Sequence, residues 1–114
     1  MKPHTPQIAT PCSTTPCRVR GLSKVHRSLV GAVLDEPGEV RGRIEITDRG
    51  DLLVDTAGAR RLQRVAWEQV QLLRDEIPGA NLKRLRLIKR LIKELSGLIT
   101  RIDDAQLAQY EAAR

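Results

Sequence analysis

The sequence predicts an α+β fold: a small antiparallel β-meander of two or three strands, followed by an antiparallel helical hairpin with a long C-terminal helix. Three observations predict it. Apolar residues recur at helical spacing through residues 57–77 and again through 81–101. Pro78-Gly79 separates those two stretches. Apolar and polar residues alternate between Val40 and Thr47, with Gly-containing turns on either side. A chain of 114 residues is expected to form one domain. That domain spans 21–114, with strands within about 28–55 and helices over about 58–77 and 81–112.

Residues 1–20 read as a flexible, basic, Pro/Thr-rich arm. Pro3, Pro6, Pro11 and Pro16 each remove a backbone donor and push the preceding residue toward extended backbone. Too little apolar surface is present to offset the entropy of ordering the arm.

The strand region follows. Leu29-Val30-Gly31-Ala32-Val33-Leu34 is a short apolar run, read as the first strand. Asp35-Glu36-Pro37-Gly38 is a turn. Val40, Gly42, Ile44 and Ile46 then alternate with Arg41, Arg43, Glu45 and Thr47, as in a half-buried strand. Asp48-Arg49-Gly50-Asp51 forms the next turn, and Leu52-Leu53-Val54 returns. So small a sheet must pack one face on helices.

Leu62, Val65, Ala66, Val70, Leu73 and Ile77 place the first helix of the hairpin. Asn81 is the expected N-cap of the second. On the second helix Leu85, Leu87, Ile88, Leu91, Ile92, Leu95, Leu98, Ile99 and Ile102 share a broad apolar arc, and Arg84 strays into it. Lys83, Arg86, Lys89, Arg90 and Lys93 lie opposite. Leu95 is expected in the core and Arg101 outside it. Gly97 costs about 1 kcal/mol relative to Ala and marks a point where the helix would break, although the unbroken form is preferred. A turn centred near Gly79 would set Asp75 beside Lys83, Glu68 beside Arg90 and Arg64 beside Glu94. The overhang beyond residue 101 is expected on the sheet or on a second copy.

The net charge is +6, and its placement is more informative than its size. Residues 35–59 hold three cations and seven acids, whereas residues 80–101 hold seven cations and one acid. Six of those cations fall between Lys83 and Lys93. A helix with one side committed to a core and the other covered in cations is suited to a negatively charged partner. The candidate phosphate-contacting residues are therefore Lys83, Arg84, Arg86, Lys89, Arg90 and Lys93 on the helix, with Arg18, Arg20, Lys24 and Arg27 from the arm side. The expected partner is nucleic acid, and duplex in particular. With 2% aromatic residues the chain lacks the stacking platforms of single-strand binders.

Other classes find little in the residues. No constellation for catalysis, no Gly-rich phosphate loop and no nucleophile elbow is present, so the expectation is not an enzyme and no cofactor. Cys12, Cys17, His4 and His26 are permitted zinc ligands, but their spacing matches no standard pattern and no metal is expected. Arg49-Gly50-Asp51 is too short a match to carry an adhesion role. Trp67 is read as a core or interface anchor. No apolar run is long enough to span a membrane, and residues 1–17 lack the apolar centre of a secretory signal, so a cytoplasmic location is expected. The favoured reading is a small nucleic-acid-binding accessory or regulatory protein. The alternative is an interaction or assembly module — inhibitor, adaptor or structural component — that grips an acidic protein surface or forms a homo-oligomer through the C-terminal helix.

Overall fold

The computed structural model of the chain describes residues 16–36 and 42–113. In chain order these residues form β1 (Cys17–Val19), α1 (Lys24–Asp35), β2 (Ile44–Ile46), β3 (Leu52–Val54), α2 (Thr56–Glu76), a 3-10 turn (Ile77–Gly79) and α3 (Leu82–Ala113). The fold is α+β: a three-stranded antiparallel sheet packs with a helical hairpin whose second helix is long.

Two elements differ from the sequence reading. The run Leu29–Leu34, expected as a strand, lies in α1. Ser23 Oγ accepts from the His26 N–H at 3.2 Å, and His26 Nδ1 accepts from the Ser23 N–H at 3.1 Å. That capping box, with His in the usual Glu position, fixes the first turn. His26, Leu29, Val30 and Val33 are buried at spacings of three and four, so the apolar run is one side of a longer helical period. The third strand is instead β1, from the expected arm. Residues 16–20 of that arm therefore belong to the domain, and residues 1–15 lie outside the described residues. The sheet order is β1-β3-β2, so only β2 and β3 are joined as a hairpin.

Registers follow the alternation. Cys17 and Ile44 both face Val54 across the sheet, and Val19 and Ile46 both face Leu52. Cys17, Val19, Ile44, Leu52 and Val54 are buried against the helices. Arg18, Leu53 and Glu45 form the outer row. Val40 lies outside the described residues. Asp55 caps α2, its Oδ1 accepting from the Gly58 N–H at 2.8 Å. Gly58 is required there, because a Cβ would collide with the Arg43 carbonyl oxygen.

The hairpin matches its expected elements and departs from its expected register. The 3-10 turn holds Pro78 and ends α2, and Asn81 Oδ1 caps α3 by accepting from the Arg84 N–H at 2.8 Å. Gln63 Nε2 donates to the Ile99 carbonyl at 3.1 Å and to Asp103 Oδ1 at 2.7 Å. A turn centred on Gly79 would have set Gln63 beside Leu95, so the true register is shifted by about one turn. The 3-10 turn carries the chain on through Gly79, so the reversal falls at Ala80-Asn81 and not at Gly79. None of the pairs Asp75–Lys83, Glu68–Arg90 and Arg64–Glu94 forms; Arg84 pairs with Glu76 at 2.7 Å instead.

α3 runs unbroken through Gly97. Ile88, Leu98 and Ile102 are fully buried and Leu95 nearly so. Each such burial contributes about 1.5–3 kcal/mol. The C-terminal half of α3 packs on the sheet, where Cys17 Sγ donates to Gln109 Oε1 at 2.9 Å. Arg101, expected to be exposed, is half-buried and donates to the carbonyls of Gly21 and Arg20, tying the loop after β1 to α3.

Candidate nucleic-acid interface

The α3 stripe of Ile88, Leu95, Leu98 and Ile102 faces the core, which turns the opposite side of the same helix outward. Lys83, Arg86, Lys89, Arg90 and Lys93 are all exposed on that side. None of the five takes part in an ion pair among the described residues. The register shift explains this. Glu68 and Asp75, expected to neutralise Arg90 and Lys83, form no ion pair with them. Arg84 leaves the set, since its Nε and Nη2 both donate to Glu76 Oε1.

The arm-side candidates divide. Lys24 and Arg27 are exposed on the first turn of α1. Between them His26 is 4% exposed and reaches α3: its Nε2 lies 2.7 Å from the Glu94 carbonyl oxygen. Because Nδ1 accepts from Ser23, Nε2 carries the proton and donates. This contact sets Lys24 and Arg27 beside the middle of α3. Arg18 is elsewhere. It pairs with Asp51 at 2.8 Å on the outer sheet face. Its neighbour Cys17 bonds Gln109, 16 residues beyond Lys93, or about 24 Å along the helix. Arg20 is exposed near Arg101 through its own carbonyl.

A cleft of about 420 Å³ opens where α1 meets α3, lined by His26, Arg90, Lys93, Glu94, Gly97 and Arg101. Arg101 and His26 were missed as contributors to the site by sequence reasoning. The 90, 93, 97, 101 spacing was the available signal for Arg101; nothing local marked His26 as a bridge between helices. A larger groove of about 470 Å³ among α1, α2 and α3 has mainly aliphatic walls, including Leu29, Val65, Leu73 and Leu91.

The minor motifs are accounted for locally. Cys17 and His26 contact α3 at Gln109 and Glu94, roughly 22 Å apart along the helix, too far to share an ion. His4 and Cys12 lie outside the described residues. No group of three or more His, Cys, Asp or Glu among the described residues is placed to hold a metal. In Arg49-Gly50-Asp51 the Asp51 side chain is 14% exposed and paired with Arg18, so the turn does not offer it to a partner. Trp67 is not in the core: it is 50% exposed, with the Arg74 guanidinium 5.6 Å from its ring centroid. No helix among the described residues is long and apolar enough to cross a membrane.

Comparison with protein-family models, curated proteins and solved structures finds no match to this chain.

Proposed function

We propose that the protein is a small nucleic-acid-binding accessory or regulatory factor. It contacts duplex phosphates through the outward face of α3 and the first turn of α1. One observation carries this reading. Lys83, Arg86, Lys89, Arg90 and Lys93 stand exposed, without ion pairs among the described residues, on a helix whose other side is core. Cations placed near a helix N-terminus oppose its dipole. The hairpin partner does not neutralise them, so an external anion is their natural complement. A helix face of this kind fits the major groove or lies along phosphates, and neither mode needs aromatic stacking.

The test is the salt dependence of binding to a random-sequence duplex, read by anisotropy. Changing Lys89 and Lys93 to Ala is expected to lower the slope of log affinity against log salt by up to about two. It should also weaken binding to all sequences alike, because phosphate contacts position without specifying. No binding of duplex at low salt would reject the reading.

The assembly-module reading has its own support. Leu107 and Tyr110, near the end of α3, are 57% and 55% exposed, and Trp67 is similarly open. A concentration-dependent oligomer with no duplex affinity is its signature.

A further inference from the structure

We propose that the cleft around Gly97 seats one backbone phosphate of a bound duplex, held by Arg90, Lys93 and Arg101. The proposal rests on the nucleic-acid reading and names the point where contact is closest. Its starting point is Gly97 itself. Gly is among the worst helix formers, yet it sits near the middle of the 32-residue α3. Its φ is not positive, so the backbone does not require Gly there. A Cβ at this position would meet nothing within 4 Å, so packing does not require it either. The missing side chain leaves open space, and that space is the floor of the cleft.

The cleft's walls are cationic. At 100° per residue, positions 90, 93, 97 and 101 share one side of the helix, with Gly97 between the three cations. A side chain at 97 would stand among their head groups. Arg101 is already fixed, because its two Nη atoms donate to the carbonyls of Gly21 and Arg20. A guanidinium has five N–H groups, so donors remain for an anion. Arg90 and Lys93 are exposed and without ion pairs among the described residues. Glu94 is the one acid in the lining. Its Oε1 lies 3.7 Å from His26 Nε2, drawn toward the α1 side. Three cations against one carboxylate leave the cleft positive. A concave, positive seat on a helix gives a tetrahedral phosphate several donors at once.

The experiment uses the full chain, labelled with ¹⁵N, and two probes: sodium phosphate and a short random-sequence duplex. The duplex is expected to shift the Gly97 amide resonance. Gly97→Leu fills the open space with a good helix former, so its melting temperature should not fall. Its duplex affinity is expected to drop about tenfold, and its salt slope to fall by about one. Gly97→Ala adds a single carbon in open space and should move both quantities in the same direction by less. If duplex binds and Gly97→Leu keeps wild-type affinity and slope, the phosphate seat is wrong and the wider nucleic-acid reading survives. If no duplex binds at low salt, both fail. A Gly97 shift with sodium phosphate alone would then mark a seat for free phosphate instead of a nucleic-acid backbone.

Discussion

The two halves of α3 share one inner stripe and differ in almost everything else. Through Ile88, Leu95, Leu98 and Ile102 the buried side runs continuously from one half to the other. Outside, residues 82–97 present six cations, of which only Arg84 is ion-paired among the described residues. Residues 98–113 instead carry Asp103, Asp104 and Glu111, and are engaged by β1 through Gln109. The inner stripe determines the fold, and any apolar residue of the right volume serves there. The outer face is under no such constraint, so its chemistry is free to change along the helix. The half covered by the sheet has its partner within the molecule. The other half leaves Lys83, Arg86, Lys89, Arg90 and Lys93 exposed, and under the proposed function that face meets nucleic acid.

The largest expected effect would break the comparison at its shared element. Leu98→Ala should cost about 2–5 kcal/mol in chemical denaturation, as should Ile88→Ala in the other half, because both sites are fully buried. A small loss at one of the two would show that the stripe is not continuous. His26→Ala comes next, at about 1–3 kcal/mol, since it leaves the Ser23 N–H without its acceptor and unties α1 from Glu94. Asn81→Ala removes the N-cap and should cost about 1 kcal/mol. Lys89→Ala with Lys93→Ala should stay within about 0.5 kcal/mol per site, because neither side chain supports the fold. A large destabilisation by that pair would mean the basic half has an internal partner after all.

How legible each part was follows from the range of its signals. The hairpin could be read because its period repeats over many turns, and Asn81 because a cap acts within one turn. Leu29–Leu34 could not be assigned by six residues. The deciding features are Ser23 and His26 upstream, and His26 stands in the capping-box position that Glu or Gln usually fills. β1 was taken for arm because Pro16 precedes it and its partner, β3, is distant in sequence. The cations of α3 were legible one by one, but their neutralisation was not. It depended on a register that moves by about a turn when the chain reverses at Ala80-Asn81 and not at Gly79. The expected register assigns Glu68 to Arg90 and Asp75 to Lys83, two cations that have no ion pair among the described residues. Arg18 was grouped with the site by closeness in sequence, and the sheet carries it away.

The most direct test of the contrast compares salt slopes for duplex binding in three proteins: the wild type, the Lys89→Ala/Lys93→Ala variant, and Arg18→Ala as a cationic loss at the sheet end. With the interface confined to the first half of α3 and the α1 turn, the double variant loses up to about two in slope and Arg18→Ala loses nothing. Equal losses in both variants, or an unchanged slope in the double variant, would contradict the account.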